Sequence, residues 1–268
     1  ATDKTAIKIF GTKAMTLKNI ASSDLAKINT ADFTGDLVFE YTCTAMSLTA
    51  DDTLKNYIKT ASGDKTFVFV GDATNGATID YGDSDATSGG AAFSTHIVFR
   101  GGTHKFKYRH ENATSVFGAN ATATKPTILV ESGTTLNAKL RNPCGWKPGA
   151  ANTNGIIRVN DTATINLESV GGTCYWMQQF YLEPGATMNY NGTTRELSVT
   201  GGANKDACQI YVPDSAEGNT KVATIAAANT AANTFLNLIP ESGATHGMGV
   251  FVGANSKLAV SLLVKGST

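Results

Sequence analysis

Charge is scarce in this chain. Asp, Glu, Lys and Arg supply 16% of its 268 residues, against about 25% in an ordinary soluble domain. The two signs balance at 22 each, so no net field draws the chain to nucleic acid or to an anionic membrane. Aromatic residues reach only 8%, with 2 Trp, and proline numbers 6. No apolar run attains the roughly 18 residues of a membrane-spanning helix, so membrane insertion is not expected. An apolar fraction of 41% with zero net charge excludes a disordered tail. The chain also lacks the Glu, Lys, Leu and Arg enrichment of coiled coils and helical bundles. The 4 cysteines, Cys43, Cys144, Cys174 and Cys208, are too few for a disulfide scaffold but permit bridges in an exported chain. The chain opens on Ala1, which is compatible with a removed signal peptide and a secreted or cell-surface destination.

Glycine, with 27 residues, accompanies abundant Thr, Ala, Ser and Asn. This composition favours strands and tight turns, and a repeat gives it order. Short apolar runs recur at Leu37-Val38-Phe39, Phe67-Val68-Phe69-Val70, Ile97-Val98-Phe99 and Ile128-Leu129-Val130. They continue at Ile156-Ile157-Arg158-Val159, Phe180-Tyr181-Leu182, Ile210-Tyr211-Val212 and Val250-Phe251-Val252. The spacing is about 30 residues, the range of solenoid repeats. The one long step predicts a further coil at Phe235 to Ile239.

A corner follows each run. Apolar residues stand six apart at Val130 and Leu136, Val159 and Ile165, Leu182 and Met188, and Val252 and Leu258. Gly, Asn and Asp between them suit the positive φ that tight corners require. Alternation after the corner, as in Leu136-Asn137-Ala138-Lys139-Leu140, marks a strand with one face inward. Each unit reads as strand, corner, strand and variable loop, with no amphipathic helix. A β-sandwich also alternates, but its turns recur every 8–12 residues or so and need no longer period. The expected fold is therefore all-β: a right-handed parallel β-helix, or β-solenoid, of about eight coils. Residues 1–31 are expected to form an N-terminal cap or extension, with Ser22, Ser23 and Asp24 capping a short helix that carries Leu25 and Ile28. Residues 32–268 are expected to form the β-helix.

The strand, the corner Glu183-Pro184-Gly185-Ala186-Thr187 and the alternating strand after it resemble right-handed parallel β-helices. They are most similar to autotransporter passenger domains and pectate-lyase-like adhesive domains, over about residues 32–264. The resemblance implies an extracellular structural or adhesive protein. A polysaccharide lyase or hydrolase of the same class is the alternative.

Several residue groups are candidates for contact with a ligand. Alternation sets Lys105, Lys107 and Arg109 on one strand face, a basic patch suited to carboxylates or sulfates of a surface glycan. It is too small, on a neutral chain, for nucleic acid. Cys144-Gly145-Trp146 and Cys174-Tyr175-Trp176 recur about one coil apart. They suggest a Cys144–Cys174 disulfide, with Cys208 as another partner for Cys174, or an aromatic platform of Trp146, Tyr175 and Trp176 for sugar rings. Asp80, Asp83 and Asp85, with Asp72 nearby, are candidate Ca²⁺ ligands, although their spacing fits no known loop and a solvated turn is the plainer reading. No other cofactor is expected.

Catalysis has little support: His96, His104, His110 and His246 stand in no metal-ligand spacing, and no nucleophile elbow or phosphate loop is present. Arg100, Lys107 and Arg109 beside the Asp cluster are the one constellation a β-helical enzyme could use. Ice binding would require Thr columns in register, and Thr42/Thr44, Thr122/Thr124 and Thr162/Thr164 do not stand on consecutive coils. The apolar strand Leu258 to Val264 is a template for pairing, so copies of the chain are expected partners, end to end or edge to edge.

Overall fold

The computed structural model describes residues 7–44, 52–60, 65–81, 95–109, 124–141, 156–169, 174–177, 179–190, 196–201, 210–227, 235–240, 249–261 and 263–266. Every strand pairing among them is parallel. A nine-stranded sheet runs in order through Met15–Lys18, Leu37–Thr42, Lys65–Val70, His96–Arg100, Ile128–Val130, Ile156–Val159, Gln179–Leu182, Ile210–Val212 and Val250–Val252. A seven-stranded sheet comprises Thr78–Asp80, Thr103–Arg109, Thr135–Arg141, Thr164–Ser169, Thr187–Tyr190, Ala223–Ala227 and Leu258–Val260. Cys174–Met177, Glu196–Gly201, Phe235–Pro240 and Leu263–Gly266 form a four-stranded sheet, and Ile7–Gly11 pairs with Ile28–Phe33. The chain thus returns to the same sheet once per turn and one strand further on. This is the parallel β-solenoid that the repeat predicts.

The interior is built of columns. In the nine-stranded sheet the inward column runs Leu17, Phe39, Phe67, Ile97, Ile128, Ile157, Phe180, Ile210 and Val250. From Phe39 to Ile210 every member is fully buried. Like side chains on adjacent turns stack directly: Phe39 lies on Phe67 at 5.2 Å and Phe69 on Phe99 at 6.0 Å between ring centroids. No turn buries its own apolar face; the turns above and below do so.

The corners follow from backbone sterics. The N–H of Thr134, Ala163 and Ala186 returns to the carbonyl of Glu131, Asn160 and Glu183 at 2.9–3.1 Å. The residue before each of these has positive φ: Gly133 at 73°, Thr162 at 63° and Gly185 at 94°. Glycine suits that region, and Thr162 occupies it against the preference of a β-branched residue.

Three expectations need correction. Ile210–Val212 pairs directly with Val250–Val252, so no extra coil lies between them; Phe235–Pro240 is a strand of the four-stranded sheet. The segment Asp52–Thr60 is a helix, with Leu54 and Ile58 buried one turn apart. The first helix spans Ser22–Leu25, but Ala21 holds the cap position without a side-chain bond, and Ile28 opens the next strand. Both helices follow a strand of the nine-stranded sheet, the place that later turns give to the seven-stranded sheet. Within residues 1–31, Met15–Lys18 is the first strand of the nine-stranded sheet. No helix among the described residues is long and apolar enough to cross a membrane.

Candidate functional site

The outer face of the seven-stranded sheet carries a groove of about 520 Å³. It crosses four adjacent strands, Thr78–Asp80, Thr103–Arg109, Thr135–Arg141 and Thr164–Ser169. Strand alternation places its lining. On Thr103–Arg109, His104 and Phe106 are buried while Thr103 and Lys105 are exposed and Lys107 is partly so. The same phase on the neighbouring strands aligns two outward columns. One runs Thr78, Lys105, Asn137 and Asn166; the other runs Asp80, Lys107, Lys139 and Glu168. The inward-facing Ile79, Phe106 and Ala138 complete the lining.

The second column is paired within itself. Lys107 Nζ lies 3.7 Å from Asp80 Oδ2, and Lys139 Nζ lies 3.0 Å from Glu168 Oε1. The first column is held by amides. Asn166 Nδ2 donates to Asn137 Oδ1 at 2.8 Å, and Asn189 Nδ2 donates to Asn166 Oδ1 at 3.0 Å. Beside it runs a column of in-register threonines, Thr103, Thr135, Thr164, Thr187 and Thr224.

A buried histidine fixes the lower end of the groove. His104 Nδ1 accepts the N–H of Ala77 at 3.0 Å, so Nε2 carries the proton and donates to Gly101 O at 2.6 Å. Ala77 immediately precedes Thr78–Asp80, so this imidazole ties two groove strands together. Burial holds its pKa below the ordinary imidazole value, outweighing the hydrogen bonds that would raise it. Gly76 is required at the same junction, because a Cβ there would stand 1.8 Å from Thr103 O.

Other candidate groups fall elsewhere. Arg100 lies on the nine-stranded sheet, where Nε and Nη2 donate to Glu131 at 2.6 and 2.9 Å and Nη1 reaches Glu40 at 3.3 Å. It does not join Lys107. The backbone of Arg109 continues the groove strand, while Tyr175 and Trp176 belong to the four-stranded sheet. Trp146, Cys144, Cys208, Asp83, Asp85, His110 and His246 lie outside the described residues. Cys43 is a free, half-buried thiol whose pKa burial, and then the Asp72 charge, pushes up to about 11. Asp72 accepts the N–H of Thr74 and of Asn75, each at 2.8 Å, and these bonds draw its carboxyl down to about 2. Its oxygens are thus committed to a turn. Among the described residues no group of three His, Cys, Asp or Glu is placed to hold a metal ion.

The Thr and Asn columns escaped sequence reasoning. Their signal is present: Thr and Asn flank the second apolar residue of the six-apart pair at Leu136, Ile165 and Met188. Aligning the sequence on those pairs brings both columns out. No family model, curated protein or solved structure matches this chain.

Proposed function

We propose that this chain is an extracellular structural or adhesive β-solenoid that binds a surface glycan in the groove of its seven-stranded sheet. The observation carrying this reading is the amide ladder on the groove wall. Asn166 spends one donor and one acceptor in the ladder and keeps a second N–H and a second lone pair. Sugar hydroxyls both donate and accept, so they match such a wall, and the strands repeat it about every 4.8 Å. The resemblance to autotransporter passenger and pectate-lyase-like adhesive domains supports the extracellular setting.

A polysaccharide lyase or hydrolase is less well supported. The backbones of Asp80 and Glu168 are three strand steps apart, about 14 Å, wider than the roughly 5–9.5 Å at which a glycosidase sets its two carboxylates. Each also has a lysine partner. Binding of soluble oligosaccharides, followed by calorimetry on the intact chain and on Asn166→Leu, tests the reading. Glycan binding that Asn166→Leu abolishes without loss of the β spectrum is expected. Release of reducing ends or unsaturated products would replace the adhesive reading with the enzymatic one.

Self-association belongs to the same proposal. The large apolar side chains exposed among the described residues are Ile7, Phe10, Met15, Val222, Val250 and Val252. The first three lie in the first turn, and Val250 and Val252 lie on the last strand of the nine-stranded sheet. Val222 stands beside the seven-stranded sheet's second-last strand. Among the described residues, exposed apolar side chains that gather mostly on the first and last turns favour contacts between copies there. Sedimentation over a concentration series should show growing species, and a monomer throughout would exclude them.

A further inference from the structure

The groove has a polarity that its composition does not reveal. In the amide ladder every bond points the same way: Asn189 donates to Asn166, and Asn166 donates to Asn137. Asn137 receives at Oδ1, and its register partner on the side away from Asn166 is Lys105, so an amide continuing the ladder's orientation would offer Nδ2 toward that strand. Aligned amide hydrogen bonds polarise one another, so the donor end of such a ladder is its electropositive end. That end therefore meets an ammonium group.

Lys105 differs from the other groove lysines. It is exposed and forms no ion pair among the described residues, whereas Lys107 and Lys139 face Asp80 and Glu168. Among the described lining residues three ammonium groups and two carboxylates leave one net positive charge. Neither register neighbour of Lys105, Thr78 or Asn137, can neutralise it. Two donors on adjacent strands, one cationic and one at the head of a dipolar ladder, match the two oxygens of a carboxylate.

We infer that Lys105 and Asn137 form the carboxylate subsite of the groove, and that its ligand is a glycan with one isolated acidic sugar among neutral ones. This rests on the glycan reading above and gives it a ligand class. A polyuronate does not fit. Lys107 and Lys139 already face Asp80 and Glu168, so among the described lining residues Lys105 alone is left for its successive carboxylates. Neutral units, in contrast, fit the Asn and Thr columns.

The test uses three soluble probes on the whole chain: a neutral oligosaccharide, the same oligosaccharide with one terminal acidic sugar, and a polyuronate of similar length. The singly acidic probe should bind on the order of tenfold more tightly than the neutral one, the gain of one charge-assisted contact. Lys105→Gln should bring the ratio of acidic to neutral affinity down to about one, whereas Lys105→Arg should preserve it. Asn137→Asp, which sets a carboxylate at the donor end, should turn the preference against the acidic probe. Equal binding of neutral and acidic probes overturns the subsite while the glycan reading stands. So does tightest binding of the polyuronate, or a preference that survives Lys105→Gln. Failure of all three probes to bind overturns both.

Discussion

Asn166 spans one strand step to Asn137, its carboxamide donating to Asn137 Oδ1 at 2.8 Å, while Asn189 donates to it from the other side at 3.0 Å. One side chain therefore joins three turns of the solenoid. Asn166→Ala removes both bonds and should cost about 1–2 kcal/mol, near 1 kcal/mol per bond. The measurement is the urea midpoint at unchanged denaturant slope. A midpoint equal to that of the parent would mean that the ladder contributes to binding but not to stability.

His104 gives the fold an acid limb. In the unfolded chain its imidazole takes a proton near pH 6.5, whereas burial resists that proton in the folded chain. Below about pH 6.5 the unfolded form binds more protons, so stability falls with pH, by at most about 1.4 kcal/mol per pH unit for this one group. The fall ends where the folded imidazole is itself protonated. His104→Gln keeps an acceptor and a donor but does not titrate, so its midpoint should change less than the parent's between about pH 7 and 5. Identical pH profiles would remove His104 as the cause.

Asp72 adds a second limb at lower pH. Its carboxyl is held at about 2 against an ordinary 3.8 by the turn it closes. Stability from this turn is full above the ordinary carboxylate range and is lost as pH falls through it toward about 2. Asp72→Asn retains an acceptor oxygen and should flatten this limb, which acid titration followed by circular dichroism would show.

Position along the stack decides the cost of an apolar deletion. Phe69 is fully buried between Tyr41 and Phe99, with ring centroids at 5.8 and 6.0 Å. Phe69→Ala should cost about 3–5 kcal/mol. Val250 shares an inward column with fully buried Ile210, yet it is 44% exposed. Val250→Ala should change the stability of the monomer by no more than about 0.5 kcal/mol. A large loss at Val250 in dilute solution would show that this end is covered.

Thr162 holds a corner at φ 63°, where related corners have Gly133 and Gly185. Its Oγ1 accepts the N–H of Gly133 at 3.1 Å, so the hydroxyl offsets part of the strain. Thr162→Val keeps the strain and loses that bond, and should cost about 1 kcal/mol. Thr162→Asn relieves the strain and should raise the melting temperature, since Asn tolerates left-handed backbone.

Much of the architecture is local and could be read from the chain alone. The six-residue interval from Val130 to Leu136 and from Val159 to Ile165 specifies a strand, a tight corner and a strand, because side chains alternate and the corner needs positive φ. The same alternation places Lys105 and Lys107 outward and Phe106 inward. Phe235 to Ile239 matched the apolar composition of the repeat, but composition does not specify which sheet a strand joins. The helix Asp52–Thr60 was missed because Leu54, Tyr57 and Ile58 form too short a helical pattern to stand out against strands. What only the tertiary structure decided is register between turns. Sequence intervals of unequal length separate Asn137, Asn166 and Asn189, and nothing local requires them to align. Stacking of the buried columns beneath them sets that alignment. It turns three separate amides into a ladder, gives Lys107 and Lys139 their carboxylate partners, and leaves Lys105 beside the ladder's donor end.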